Sequence, residues 1–272
     1  MGAALGSADH HEIELDRYEI EFDEQFEGPE LSADRWIPHY LPHWSTPDRT
    51  LARYDLRPGL LRLRIDVDQP AWRIEDGPMR VSNIQTGVFA GPLGSSIGQH
   101  RHRPDLEVRT EQPSLRLYTP VHGYIEAEMR ASDDPGTMLA FWLVGHEGTS
   151  AEDSGEICIV EIPGDGVSSH GSTLRMGIKA HNDSRIADDM VELSPGIDAR
   201  AWHTYGAEWT PDGVRFFVDR EIVYESPQRL AYPLQVMVDL FEFPDDENRD
   251  PLAYPKVGDI GSVRGYRPRS RG

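Results

Sequence analysis

Cysteine is nearly absent from this chain, and long apolar segments are missing altogether. The 272 residues include a single cysteine, Cys158, so an internal disulfide is excluded. No run of eighteen apolar residues occurs, which excludes a membrane-spanning helix. Residues 1–11 lack a basic region and an apolar core, so they do not read as a secretory signal. We therefore expect no membrane partner, and either an intracellular protein or an exported one whose leader has been removed.

Basic residues are scarce as well. Lysine and arginine total 27 against 47 aspartates and glutamates, which leaves a net charge of −20. Nucleic acids and anionic membranes bind basic surfaces, because phosphate groups have to be neutralised. The balance therefore excludes nucleic acid as an expected partner and argues mildly against polyanionic sugars.

The common signatures of metal, phosphate and serine-nucleophile sites are also missing. The sequence has no cysteine–metal cluster, no phosphate-binding glycine loop and no serine elbow. His100 and His102 stand two residues apart, next to Arg101 and Arg103, and offer half of a metal site. No third ligand is evident near them in the sequence. We therefore predict no metal and no cofactor.

What the chain does contain is a series of short segments with the pattern of β-strands. In residues 123–130, for example, Ile125, Ala127 and Met129 alternate with charged residues, so one face is apolar. Many such strands separated by turns, with no helix-period segment, predict an all-β sandwich of two antiparallel sheets. The predicted strands cover residues 18–26, 53–55, 59–67, 85–89, 123–130, 138–144, 155–163, 174–181, 201–209, 214–219, 234–241 and 261–266.

The length of the chain suits one large β domain. We expect a flexible lead-in over residues 1–16 and a single domain over residues 17–268. Two long loops, at 68–80 and 89–114, are rich in Gly, Pro, Asp and His. Loops of this length in a compact domain are usually functional, and we expect them to wall a cleft.

The strand at residues 155–163 contains two glutamates among β-branched apolar residues. A buried carboxylate is costly unless it is paired, so one face of this strand should border a wet cleft. Side chains alternate faces with a period of two, which places Glu156 and Cys158 together and Glu161 opposite them. A single β-bulge restores the parity and brings Glu161 to the same face. Two leaning glutamates could then reach the roughly 5–5.5 Å separation of a retaining glycosidase pair.

This strand resembles a known motif. Residues 156–161, Glu-Ile-Cys-Ile-Val-Glu, resemble the Glu-x-Asp-x-x-Glu signature of family-16 glycoside hydrolases, the laminarinase-like β-glucanases of concanavalin A-like fold. Residues 202–209, Trp-His-Thr-Tyr-Gly-Ala-Glu-Trp, resemble a second family strand. The resemblance spans residues 18–268 and implies a jelly roll with a cleft on its concave sheet.

The resemblance also implies roles for individual residues. Glu156 is expected to be the nucleophile and Glu161 the general acid/base, while Cys158 occupies the position of the family's middle Asp. Because a thiol is normally uncharged, we expect a slower enzyme with a shifted pH optimum. Gly261 replaces an Asp of the family's closing strand, which argues against the structural calcium of some members.

The expected function is that of a retaining endo-β-glycosidase that hydrolyses O-glycosidic bonds in a β-glucan, with β-1,3-glucan favoured. The partner is then a polysaccharide or oligosaccharide, and we expect a monomer. Indole rings suit the apolar faces of sugars, and a histidine can bind a hydroxyl group. The candidate substrate-binding residues are Trp44, Trp72, Trp142, Trp202 and His181.

Two other functions stay open. The first is a catalytically weak or inactive lectin-like sandwich, because Cys158 replaces the Asp and Met138 stands where the family often has a Trp. The second is a jelly-roll polysaccharide lyase. A lyase has to neutralise a uronate with basic groups, and the acidic pair argues against it.

Overall fold

The computed structural model of the chain describes residues 12–244 and 250–269. Within these residues the fold consists of strands, one helical turn and several 3-10 turns, and no helix is long and apolar enough to cross a membrane. The strands are β1 (Tyr18–Glu24), β2 (Arg53–Arg57), β3 (Leu60–Ile65), β4 (Arg80–Gln85), β5 (Gly87–Val88), β6 (Leu115–Arg116), β7 (Gly123–Arg130), β8 (Thr137–Gly145), β9 (Glu156–Pro163), β10 (Leu174–Lys179), β11 (Asp189–Leu193), β12 (His203–Thr210), β13 (Gly213–Val218), β14 (Glu221–Ser226), β15 (Leu234–Glu242) and β16 (Lys256–Pro268). The helical turn α1 covers Pro47–Thr50, and the 3-10 turns cover Leu15–Arg17, Pro42–Trp44, Ile74–Asp76, Gly164–Gly166 and Pro251–Ala253.

The strands of the described chain form two large antiparallel sheets. One has eight strands in the order β14-β13-β12-β7-β16-β3-β2, with β1 also paired to β16. The other has six strands in the order β11-β10-β9-β8-β15-β4. Strands β5 and β6 form a separate two-stranded ribbon. The predicted all-β, two-sheet antiparallel sandwich is confirmed.

The main core lies between the two large sheets. The eight-stranded sheet contributes the alternating residues Ile125, Ala127 and Met129, as their pattern predicts, and the six-stranded sheet contributes residues such as Leu139 and Phe141. Each fully buried aliphatic or aromatic side chain of this kind stabilises the fold by about 1.5–3 kcal/mol. Because the inner face of the six-stranded sheet packs in this core, only its outer face is available for a functional site.

The outer face of the six-stranded sheet carries a second apolar cluster. Ala140, Trp142 and Val144 of β8 pack there against aromatic and apolar residues from residues 40–44, 68–80 and 89–114. The two long loops therefore lie on this face, where we expected them to wall a cleft. The cluster consists of Tyr40, Leu41, Trp44, Trp72, Val81, Leu106, Val108, Ala140, Trp142, Val144, Met237 and Phe241.

The lead-in that we expected over residues 1–16 is only partly described, because residues 1–11 lie outside the described residues. Glu12 forms a β-bridge with Glu221, and the Ile13 N–H donates to the Arg220 carbonyl. The Ile13 side chain is buried. Residues 12–16 are thus in contact with the sandwich rather than free of it.

One carbonyl group anchors the loop at 89–114. The Gln99 carbonyl oxygen accepts hydrogen bonds from His43 Nε2 and Trp44 Nε1, at 2.9 and 2.8 Å. His43 is fully buried, and burial lowers the pKa of its ring from 6.5 to about 4. The neutral ring is therefore the form that the folded state accommodates.

Acid should weaken the fold through His43. Between pH 6.5 and 4 the unfolded chain binds a proton at this residue that the folded chain does not, so stability falls as the pH falls. The full effect is about 3 kcal/mol in the free energy of unfolding. Urea unfolding at pH 7 and pH 4.5 should show a smaller pH-dependent loss for His43→Gln, which keeps an N–H donor, than for the parent chain. The exposed His170→Gln serves as the control, and equal losses in all three proteins would contradict the assignment.

Candidate active site

Strand β9 contains a β-bulge. In its pairing with β8, Phe141 lies opposite Val160 but Trp142 lies opposite Cys158, so Ile159 is an extra residue. The pairing of β9 with β10 shifts at the same place. Ile159 and Val160 are both buried in the main core. The bulge predicted from the sequence is therefore present.

The bulge brings the three polar residues of β9 together. One ligand atom from each of Glu156, Cys158 and Glu161 lies within 4.8 Å of the other two. The two carboxyl groups are therefore neighbours on the outer face of the six-stranded sheet. Glu156 is 4% exposed, while the Glu161 side chain is 15% exposed.

Lys179, the last residue of β10, and His181, in the turn that follows, hold this pair. Lys179 lies opposite Glu156 in the ladder, and its Nζ donates to Glu156 Oε1 at 3.0 Å and to Glu161 Oε1 at 2.6 Å. His181 follows in a left-handed conformation (φ 50°), with Nε2 2.8 Å from Glu156 Oε2. An ionised carboxylate can only accept, so Nε2 carries the proton in this contact. The prediction placed His181 at the site, but it missed Lys179.

The charges of these groups follow from their surroundings. Burial raises the pKa of Glu156, but the hydrogen bond from His181 and the charge of Lys179 outweigh it and hold the pKa at about 2. For Lys179, burial lowers the pKa, and the negative charges of Glu156 and Glu161 more than compensate, so its pKa is raised. At neutral pH the site holds an ionised Glu156 and an ammonium group. Burial, together with the negative charge of Glu161, also raises the pKa of the Cys158 thiol well above its ordinary value, so the thiol is neutral.

A further carboxyl group, which the sequence analysis missed, lies two strands away on β15. Asp239 is fully buried and accepts hydrogen bonds from Trp142 Nε1 at 2.5 Å and from Asn83 Nδ2 at 2.7 Å. Burial raises its pKa well above the ordinary value. A lone carboxylate in the apolar run of residues 236–241 was the signal that could have identified it.

The tryptophans predicted as sugar platforms fall into two groups. Trp142 lies in the site, where its ring is 5.4 Å from that of His100. Trp44 and Trp72 lie beside the site and are 0% and 2% exposed, and their N–H groups bond to the Gln99 and Tyr40 carbonyls. Trp44 is fully buried in the outer apolar cluster and presents no ring face to a sugar, whereas Trp72 lines a recess beside His100, so its role as a platform stays a prediction.

Trp202, which we predicted to bind substrate, does not lie in the site. Its ring is 38% exposed but stacks on Arg130, with 4.8 Å between the guanidinium carbon and the ring centre. Arg130 belongs to β7 of the eight-stranded sheet, and its neighbours Ala127 and Met129 face the main core. Trp202 therefore lies on the far side of the sandwich from Glu156.

Two recesses lie beside residues that neighbour the glutamate pair. One recess, of about 500 Å³, is lined by His100 and also by Tyr40, Trp72 and His102. The other, of about 720 Å³, is lined by Arg175, which lies opposite Glu161, and by Phe243. A chain-like ligand could extend from the carboxylates toward both recesses.

The bridging cation should matter for stability. Lys179→Met leaves two neighbouring carboxylates without their shared partner. Breaking a buried pair costs about 3–5 kcal/mol and an exposed one about 1 kcal/mol or less, so we expect a loss of about 2 kcal/mol in the free energy of unfolding for this partly exposed cation. Urea unfolding at pH 7 measures it. Arg175→Met, which removes the ion pair with the exposed Glu192 on the same sheet, should cost clearly less. Equal losses would show that Lys179 is not the partner that holds the pair.

Comparisons with known proteins agree with this geometry. The family model described as glycosyl hydrolases family 16 matches residues 116–242, which contain the whole of β9. The chain is 29% identical over 220 residues to a beta-glucanase of Rhodothermus marinus, covering 75% of this chain and 72% of that protein. It is 25% identical over 166 residues to the endo-1,3-1,4-beta-glycanase ExsH of Rhizobium meliloti (strain 1021), covering 60% of this chain and 34% of that protein.

Solved structures show the same fold. The GlcNAcα1-4Gal-releasing endo-β-galactosidase from Clostridium perfringens superposes with a TM-score of 0.79 at 24% identity, covering 93% of this chain. The laminarinase from Rhodothermus marinus gives 0.64 at 18% identity, covering 93% of this chain and 98% of that one. The chain spans 63% of the galactosidase chain. The concanavalin A-like sandwich is thereby confirmed.

The family model, the relatives and the shared fold all indicate a glycoside hydrolase. The match to this family implies a polysaccharide substrate. The chain is a glycoside hydrolase similar to family 16, whose model matches residues 116–242.

Proposed function

We propose that the chain is a retaining endo-β-glycosidase that cleaves a β-glucan by double displacement. The observation that carries this proposal is the proximity of the carboxyl oxygens of Glu156 and Glu161, within 4.8 Å. Retaining glycosidases use carboxyl groups about 5–5.5 Å apart, whereas inverting enzymes separate them by about 6.5–9.5 Å to admit a water molecule.

The environments of the two glutamates suggest different roles. Glu156 is buried and ionised, and His181 and Lys179 hold its two oxygens in place, which suits a nucleophile. Glu161 is more exposed, so it can exchange protons with water, which suits a general acid/base. In the first step Glu156 attacks the anomeric carbon while Glu161 protonates the leaving oxygen. In the second step Glu161 takes a proton from a water molecule, whose oxygen displaces Glu156.

The relatives and the shape of the site support the proposed substrate class. The relatives include a beta-glucanase and an endo-1,3-1,4-beta-glycanase, and the similar structures include a laminarinase and an endo-β-galactosidase. Recesses beside His100 and beside Arg175 leave room for sugar units on both sides of the cleaved bond, which supports endo cleavage. We favour β-1,3-glucan, with mixed-linked glucan or a galactoside as the other possible substrates.

We propose that the replacement of the family's Asp by Cys158 slows turnover. Its neutral thiol cannot provide the charge that we expect from the family's Asp at this position. The hypothesis of slower turnover stays a prediction.

A second candidate function is a lectin-like sandwich that binds glycan without cleaving it. The observation that favours it is Lys179, whose ammonium group contacts both glutamates and occupies the space between them. A substrate that takes its proton from Glu161 Oε1 has to displace this cation first. A protein that only binds glycan has no such requirement.

The test combines a substrate panel with two variants. Purified protein is incubated with laminarin, mixed-linked β-glucan and a β-galactan, and new reducing ends are measured. Glu156→Ala and Glu161→Ala should each lower kcat by at least about 10³-fold on the cleaved substrate, because each removes a reacting group. Glu225→Ala, which removes an exposed glutamate from the other sheet, is the matched control.

Azide separates the roles of the two glutamates. With an activated aryl β-glycoside, azide should restore turnover of Glu156→Ala and give the α-glycosyl azide, because one displacement inverts the anomeric carbon. With Glu161→Ala it should give the β-glycosyl azide, because azide then attacks the glycosyl–enzyme intermediate. Glycan binding by the parent chain without any new reducing ends would favour the lectin-like candidate. The opposite assignment of the two azides would exchange the roles.

A further inference from the structure

The active site contains a group of possible metal ligands that the hydrolytic steps do not require. A ring nitrogen of His100, a ring nitrogen of His181 and a carboxyl oxygen of Glu156 all lie within 4.8 Å of one another. The sequence analysis paired His100 with His102 and found no third ligand. The structure instead places His100 against His181, with 4.6 Å between the ring centres in an edge-to-face arrangement.

His100 is held in this position by its own backbone and by its packing. It adopts a left-handed conformation (φ 53°), and its N–H donates to Glu147 Oε1 at 2.6 Å. The preceding carbonyl, of Gln99, is anchored by His43 and Trp44. The imidazole ring packs on Trp142. These contacts direct the ring toward Glu156 before any ligand arrives.

We propose that His100, His181 and Glu156 form a binding site for a zinc-like divalent ion, which switches off the nucleophile. Two imidazole nitrogens and one carboxylate oxygen are the donor set of many zinc sites that keep a coordination position open to water. Calcium and magnesium prefer sites built from oxygen atoms alone, so the same group should discriminate against them.

The geometry requires a modest rearrangement. Zinc binds nitrogen and oxygen at about 2.0–2.2 Å, so ligand atoms around a tetrahedral ion are about 3.3–3.6 Å apart. The widest separation in the group is no more than 4.8 Å, so it has to close by at most about 1.5 Å, which rotation of the imidazole rings can supply. His181 has to exchange its N–H contact with Glu156 Oε2 for a bond to the ion. The other oxygen, Glu156 Oε1, keeps its hydrogen bond to Lys179.

A neighbouring group is less suited to an ion. Glu156, Cys158 and Glu161 also lie within 4.8 Å of one another in the described part of the chain. The ammonium group of Lys179, however, contacts both of those carboxylates. A cation there would have to expel Lys179, whereas a cation between the two histidines would not.

An ion at this site would act on the reaction through Glu156. A carboxylate oxygen that is bound to zinc has lost the lone pair with which it would attack the sugar. Zinc should therefore inhibit hydrolysis reversibly, and a chelator should restore it. Binding of the ion is independent of the proposed function, and only the inhibition rests on it.

Binding is measured first, without any substrate. Isothermal titration with Zn²⁺ at pH 7.5 should give one site per chain, and Mg²⁺ should not compete. His100→Ala and His181→Ala should each weaken zinc binding by at least about tenfold, since even outer residues of metal sites have effects of that size. His170→Ala, an exposed histidine in another loop, should bind zinc like the parent chain. Circular dichroism checks that each variant is folded.

A second measurement uses the unmodified chain. X-ray absorption at the zinc edge should show two imidazole ligands and oxygen donors, and Co²⁺ should give the visible bands of a four- or five-coordinate nitrogen and oxygen site. Absence of zinc binding, a zinc site without two imidazoles, or equal affinities of the His100, His181 and His170 variants would each overturn the proposal. Zinc binding without inhibition of an active enzyme would overturn the regulatory part. Zinc binding by a chain that cleaves none of the glycans would instead count against the proposed function.

Discussion

One extra residue in strand β9 determines how the active site is built. In a regular strand, side chains five residues apart point to opposite faces of the sheet. The bulge at Ile159 cancels this difference, so Glu156 and Glu161 share the outer face while Ile159 and Val160 both enter the core. The core packing on one side therefore fixes the spacing of the acidic pair on the other.

Placing two carboxylates so close together on a largely buried face has an electrostatic cost, and the neighbouring strand offsets it. An isolated buried carboxylate loses several kcal/mol of hydration, and its partner adds repulsion. Lys179 lies opposite Glu156 because β10 pairs with β9, and its ammonium group contacts both glutamates. His181 completes the arrangement from the turn that follows. The same contacts that stabilise the carboxyl pair also orient it, so stability and function depend on the same few hydrogen bonds.

Short-range patterns in the sequence predicted those features of the fold that depend on neighbouring residues along the chain. Alternation predicted the strands and the sandwich, and parity predicted the bulge and the common face of Glu156 and Glu161. Partners from distant parts of the chain could not be found this way. Lys179, His100 and Asp239 meet the site only through strand order and loop packing, which leave no periodic signal in the sequence. Residue type alone also misplaced Trp44 and Trp202, because whether an indole faces a cleft depends on what folds over it.

The central claim is that the bulge brings the two glutamates close enough for double displacement, with no room for a water molecule between nucleophile and sugar. The stereochemistry of the first product tests this most directly. Proton NMR of a β-glucan digest, recorded before mutarotation, should show the new reducing end as the β-anomer. An α-anomer formed first would mean a single inverting displacement, and it would contradict the account.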